Sequence, residues 1–262
     1  MLKKRIIPKL LILNKSFGAT VRPVLVTTRN FEQVFEVGDP LSQARIYEAQ
    51  LADELIVLNI ERLPIGADEP LLRVIERLAS QTFMPIAVGG GVTSIADFAT
   101  LLERGADKVV VNSVAVHDPA LIEEAAHRFG AQCVVVSIDI RQRADEYRVY
   151  TERATRDTGM VPLEWARRAV DAGAGEIVLT DADRDGSGKG LNTEAGREIA
   201  DALPVPVILS GGCGVAQHFV EGFQQARAEG IAAGTFFCFR DQNPMQARAH
   251  VRSAGIPIRV ET

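Results

Sequence analysis

Two stretches of this chain occur twice. ADELIVLNI at 52–60 falls on AGEIVLTDA at 174–182, and PIAVGGGV at 85–92 falls on PVILSGGC at 206–213, each at a separation of about 121 residues. Glu54 thereby matches Glu176, Pro85 matches Pro206 and Phe98 matches Phe219. Each copy is an apolar, β-branched run followed by a stretch of helical periodicity, the pattern of a parallel strand buried on both faces and its crossover helix. Eight strand and helix pairs in two halves predict an α/β fold, a single (β/α)8 TIM barrel over 1–262 with half-barrels at about 1–130 and 131–262. Strict alternation of β and α with short turns selects the closed barrel over a doubly wound open sheet. A chain of 262 residues is long enough for one such core.

In chain order, Arg5 to Leu13 is the first strand, with Pro8 tolerated where no ladder donor is needed. A long first βα loop, 14–37, contains Gly18, Pro23 and VRPVLVTT. It exceeds a plain βα connection and is read as a lid or hairpin over the site, or as an idle insertion. Asp39-Pro40 caps a helix to Gln50, and ELIVLNI (54–60) is the second strand. Helices are expected over Pro70–Ser80, Thr93–Arg104 and His117–Phe129, with strands PIAVGGG (85–91) and Asp107–Asn112 between them. CVVVSIDI, Cys133–Ile140, is the fifth strand. An exposed hairpin, Asp145–Tyr150 turning back toward Asp157, leads to the helix holding Trp165. The remaining strands are 175–182, 206–214 and 230–237, with a helix at Asn192–Leu203.

A net charge of −5 argues against a nucleic-acid partner. Cys133, Cys213 and Cys238 show no CxxC spacing, so neither a disulfide framework nor a zinc site is expected, and no metal or cofactor is called for. DRDGSGKG (183–190) matches a calcium loop only in fragments and lacks the closing acid. MLKKRIIPKLLIL has the charge order of a signal peptide, but its apolar run is only about nine residues with no cleavage site after it. It is read as the first strand, so a cytoplasmic chain with no membrane partner is expected.

Three constellations carry chemistry. Gly89-Gly90-Gly91 and Gly211-Gly212 follow repeat-related strands and leave backbone N–H groups bare before helices begin, which makes two anion sites. Asn112 and Ser113 are expected to complete the first, and Gly234 and Thr235 the second, with Gly186 as a further phosphate-binding candidate; the alternative is that the glycines only permit tight turns. At strand C-termini stand Asp139, Asp181, Asp183 and Asp185, of which Asp139 is the candidate proton-transfer residue or else a helix cap. Asn59, Asp181 and Asp185 are the candidate substrate-proximal group. The first strand offers Leu11 and Leu13 where the repeat would place a counterpart of Asp139. At the opposite end Arg5, Glu54, Lys108 and Glu176 open four strands with alternating charge, as a structural ion-pair cluster or a functional one. Cys213, beside the glycines, is filler or a nucleophile.

The segments RII (5–7), GDP (38–40), DEL (53–55), VGGG (88–91), RGADKV (104–109), VVVSID (134–139), GAGEI (173–177), DRDG (183–186) and SGG (210–212) together resemble the cyclase subunit of imidazole glycerol phosphate synthase. That resemblance implies a barrel with a glutaminase (HisH-like) docked at its N-terminal face. Arg5, Glu54, Lys108 and Glu176 then match the family's ammonia gate, the top face binds a substrate with two phosphates, and Asp139 matches one catalytic aspartate. Leu11 stands where the family has its other catalytic aspartate, Asn59 where it has an aspartate after strand two, and the first loop carries extra residues. RIIPKLLILN, TFMPIAVGGG and AAGTFFCF are more similar to a paralogous branch, the acetamidino modification proteins of surface-sugar gene clusters. The resemblance implies use or relay of glutamine-derived ammonia toward a phosphorylated or nucleotide-linked sugar, with a separate ATP-using sugar amidotransferase as a further partner. A cyclase subunit of histidine biosynthesis and a non-catalytic ammonia conduit that activates the glutaminase are the alternatives.

Overall fold

A computed structural model describes residues 3–61, 64–65, 68–239 and 242–258. Eight parallel strands form the barrel: β1 (Arg5–Phe17), β4 (Leu55–Asn59), β5 (Ile86–Gly89), β6 (Lys108–Val111), β7 (Val134–Arg143), β10 (Glu176–Asp181), β11 (Val207–Ser210) and β12 (Gly230–Ala233). They pair in the order β10-β11-β12-β1-β4-β5-β6-β7, and pairing of β7 with β10 closes the ring. The expected (β/α)8 barrel is therefore the fold. Around it lie α1 (Pro40–Ala49), α2 (Glu69–Gln81), α3 (Ile95–Glu103), α4 (Ser113–His117), α5 (Ala120–Phe129), α6 (Pro162–Asp171), α7 (Thr193–Ala202), α8 (Gln217–Gln224), α9 (Thr235–Cys238) and α10 (Pro244–Ser253). Among the described residues no helix is long and apolar enough to cross a membrane.

Strand alternation divides the core in two. One face of each strand packs on the helices, where Phe98, Trp165 and Phe219 are buried. The other face supplies an inner layer with one residue from each barrel strand: Ile7, Ile56, Ala87, Val110, Val135, Val178, Ile208 and Ala232. This apolar plug separates the two ends of the barrel axis.

Several elements differ from the sequence expectations, each for a local reason. The helix expected over His117–Phe129 is two helices, because Asp118-Pro119 cannot continue the first and Pro119 starts the second. The last expected strand, 230–237, ends at Ala233, and Thr235–Cys238 turns into a short helix. β1 runs past Leu13 to Phe17 and pairs antiparallel with β2 (Thr20–Arg29), which pairs in turn with β3 (Gln33–Gly38). The stretch 14–37 is thus an antiparallel ribbon growing out of the barrel sheet. A second ribbon extends β7 through β8 (Glu146–Thr151) and β9 (Arg156–Asp157).

Candidate active site

The C-terminal mouth holds a cleft of about 640 Å³, within the usual size of a small-molecule site. Its floor is the next inward-facing layer above the apolar plug, with Lys9, Ser137 and Thr180, and Asp139 lines the wall one layer higher on the strand of Ser137. Asp139 is buried in the wall, and Asn112 Nδ2 donates to its Oδ2 at 2.8 Å. Burial pushes its carboxyl up to about 7, Asp185 adding to the rise while Lys9, Asn112 and Arg141 oppose it. An acid that is half ionised near neutral pH is suited to proton transfer in either direction.

The expected first anion site comes together in this cleft, where Gly90, Gly91, Asn112 and Ser113 all line the wall. Asn112 and Ser113 are partly committed: the Asn112 amide is turned to Asp139, and Ser113 Oγ accepts from Glu152 N at 3.0 Å. The second set also comes together. Gly186, Gly211, Gly212, Gly234 and Thr235 share a separate pocket with Lys9, Ser210 and Cys213, but it holds only about 20 Å³. That is room for about one water, not for a phosphate. It is narrow because the β2 ribbon lies against it: Thr28 Oγ1 donates to Asp185 Oδ2 at 2.6 Å, and Asn30 N donates to Asp185 O at 2.9 Å. Arg141 fastens the same corner, donating to Asn30 O at 2.9 Å and pairing with Asp183 at 2.8 Å. Leu11 is buried beneath this ribbon with Val24 and Val26, so the position without an acid packs against the cover.

Gly90 and Gly211 occupy equivalent turns. Both have positive φ, +86° and +89°, and a Cβ would sit 1.9 Å from Asn59 O at Gly90 and 2.4 Å from Asp181 O at Gly211. Each turn rides on the strand end that precedes it, and those ends show an exchange that sequence comparison misread. Asn59 Nδ2 donates to Asp68 Oδ2 at 3.4 Å, and Asp68 caps α2 through Leu71 N at 3.1 Å. In the other half Asp181 Oδ2 accepts from Asn192 Nδ2 at 2.7 Å, and Asn192 caps α7 through Ala195 N at 3.1 Å. Amide and carboxylate have changed places, so Asn59 is one half of a bracket whose acid is Asp68. Asn14 Nδ2 also donates to Asp68, at 2.8 Å, tying β1 to it.

Asn59 lines the large cleft and Asp185 the small pocket, while Asp181 lines neither. Instead Asp181 accepts from Asp183 N and Arg184 N at 3.0 and 3.2 Å and organises the turn after β10. Burial raises its carboxyl above the ordinary range, against the Asn192 hydrogen bond and Arg184. Converting Asn59→Asp sets two buried carboxylates side by side. The variant is expected to lose about 2 kcal/mol or more at pH 7 and to recover as acid protonates one of them, which thermal melts from pH 7 to 4 will show.

At the N-terminal end the four charged residues form one closed ring. Glu54 accepts from Arg5 at 2.7 Å and from Lys108 at 2.8 Å, and Glu176 accepts from Lys108 at 2.9 Å and from Arg5. Burial works against the charge of the Arg5 guanidinium, but Glu176 and Glu54 outweigh it and hold the group above its usual range. The ring lies directly beneath the apolar plug. Beside it on the same face, Phe83 is fully exposed, with its backbone N held by Glu48.

One floor residue escaped sequence reading: Lys9, 6 % exposed, whose Nζ donates to Ser210 Oγ at 2.8 Å. The signal was available. Arg5, Ile7, Lys9 and Leu11 alternate on the inward face of β1, and a cation in the middle of a barrel strand is anomalous.

A protein-family model described as "Histidine biosynthesis protein" matches residues 5–243. A protein of Prochlorococcus marinus (strain MIT 9313) named "Putative imidazole glycerol phosphate synthase subunit hisF2" is 48% identical over 265 residues, covering 100% of this chain and 100% of that protein.

Proposed function

The chain belongs to the histidine biosynthesis protein family, and on that footing we propose that it is a HisF-like synthase subunit that takes glutamine-derived ammonia from a HisH-like glutaminase. The ammonia enters at the N-terminal face and is used at, or relayed from, the mouth, toward a phosphorylated or nucleotide-linked sugar. The carrying observation is the closed ring of Arg5, Glu54, Lys108 and Glu176 beneath an apolar plug that ends at Asp139 and Lys9. Barrel bottoms are ordinarily packed for stability, and a buried ion ring is a poor way to achieve it. Such a ring does suit a gate. Ammonia in neutral water is mostly protonated and not nucleophilic, whereas an apolar layer admits the neutral molecule and rejects the ion. Passage needs small movements in the layer, where Ala87 and Ala232 are the smallest members.

The glycine turns supply N–H groups for the substrate's phosphates, and Asp139 exchanges the proton that ammonia must lose on forming a C–N bond. The β2 ribbon keeps the second glycine set closed, so occupancy of that set requires the Thr28–Asp185 contact to yield. Leu11 under the ribbon, together with the strand segments shared with the acetamidino modification branch, supports a sugar amidination in surface-polysaccharide synthesis over cyclisation. One observation favours the second reading, the cyclase subunit of histidine biosynthesis: the Prochlorococcus protein carries that synthase name over its whole length. Growth of a cyclase-deficient histidine auxotroph on this gene would establish the second reading; failure to grow, with the protein expressed and folded, supports the first.

Docking of the glutaminase is testable at Phe83. An exposed aromatic beside the ring is the type of residue that anchors an interface. Phe83→Glu is expected to melt like the parent and to bind the glutaminase at least about tenfold more weakly, measured by calorimetry. Unchanged affinity would remove this face from the interface.

A further inference from the structure

Lys9 is a buried cation whose hydrogen-bonding capacity is mostly unspent. Of its three N–H donors one is used, on Ser210 Oγ, and among the described residues no carboxylate lies within ion-pair distance of its nitrogen. Ser137 and Thr180, 7 % and 3 % exposed, face the same floor, and neither hydroxyl has a hydrogen-bond partner among the described residues. An ammonium with donors to spare, on one floor with the hydroxyls of Ser137 and Thr180, is equipped to receive an anionic oxygen. The position is also specific. Lys9 is common to the large cleft and the small glycine pocket, directly above the apolar plug and in the cleft that Asp139 also lines.

We propose that this floor is an oxyanion subsite, in which Lys9, with Ser137 and Thr180, holds the oxygen of the carbon that ammonia attacks. This rests on the reading of the chain as an ammonia-using subunit. The substrate it selects carries, besides phosphate, a carbonyl carbon. The ammonia lone pair forms the C–N bond, and the π pair of the carbon moves onto its oxygen, whose developing negative charge the ammonium and hydroxyls receive. The nitrogen, now cationic, gives a proton to the Asp139 carboxylate. The protonated acid then returns that proton to the oxyanion, which leaves a neutral carbinolamine. A site with two carboxylates is built to move protons on both sides of a substrate; replacing one side by Leu11 and placing a cation at Lys9 instead favours addition to a polarised carbon.

The test compares glycerol 3-phosphate with phosphorylated acids of graded length, phosphoglycolate, 3-phosphoglycerate and 4-phosphoerythronate, titrated calorimetrically into the full chain. A carboxylate mimics the anionic oxygen on carbon, and the graded lengths cover the span from glycine turn to floor. At least one acid is expected to bind the parent about tenfold or more tightly than glycerol 3-phosphate. Lys9→Met should bring that ratio to about one with glycerol 3-phosphate binding retained, and Lys9→Arg, which keeps a cation, should preserve part of it. A parent ratio near one, or a ratio unchanged in Lys9→Met, overturns the subsite while leaving the phosphate reading standing. Failure of the parent to bind any of the four overturns both.

Discussion

Asp139→Asn should cut nitrogen transfer by orders of magnitude and yet yield a barrel more stable than the parent above neutral pH. Both halves follow from one environment. The Asp139 carboxyl is buried in the cleft wall with its acidity pushed up to about 7, chiefly by burial. A folded-state value above the unfolded one means that the folded chain keeps a proton the unfolded chain has released. Stability from this group is therefore intact below about pH 4, falls as pH rises toward 7, and stays reduced above it. The difference between about 7 and the ordinary 3.8 corresponds to at most about 4 kcal/mol. Asparagine abolishes that penalty and still accepts from Asn112 Nδ2, so the melting temperature should exceed the parent's at pH 8 and match it near pH 4. Loss of the proton acceptor should lower ammonia-dependent turnover by roughly 10²–10⁴. The parent's turnover should rise with pH through about 7, and the residual rate of the variant should lack that step. A variant that is stabilised but undiminished in rate would make Asp139 a structural residue.

The second large effect lies at the opposite end of the axis. Glu54→Ala removes a buried carboxylate that accepts from both Arg5 and Lys108, leaving Glu176 to balance two cations. Breaking a buried ion network from one side costs about 3–5 kcal/mol. For a chain of this length that is a fall in melting temperature of roughly 10 °C. A structural ring predicts no more than this. A gate predicts in addition that, at a temperature where the variant is fully folded, glutamine-driven turnover falls while turnover with added ammonium salt is preserved, since bulk ammonia reaches the mouth directly. Equal losses with both nitrogen sources would reduce the ring to scaffolding.

The repeat made the barrel and both of its ends legible from the chain alone. Arg5, Glu54, Lys108 and Glu176 open their strands, and strand polarity is enough to place them together. Gly90 and Gly211 are legible for the same reason, since the repeat places a glycine at the same positive-φ turn in both halves. What failed was anything decided by contacts between elements distant in sequence. Asn59 read as a missing acid because its carboxylate partner, Asp68, belongs to a helix cap outside the aligned segment. Asp181 read as substrate-facing, but strand alternation turns Thr180 inward and Asp181 toward the α7 cap. The closure of the second glycine pocket depends on where the β2 ribbon lies, which Thr28 and Asp185 settle across more than half the chain. Lys9 lies inside a run whose apolar residues mark a strand, and only the alternation that also turns Leu11 inward sets it on the inner face of β1.

The route of nitrogen is the core of this account, and isotope partition measures it. In the complete system, reconstituted with the glutaminase and the phosphorylated acceptor, amide-¹⁵N glutamine is supplied together with a large excess of unlabelled ammonium, and ¹⁵N in the covalent product is read by mass spectrometry. Passage through the ring and the apolar plug predicts product labelled from glutamine despite the excess, with the label diluted in Glu54→Ala. Product whose label matches the bulk ammonium pool in the parent would contradict delivery through the barrel.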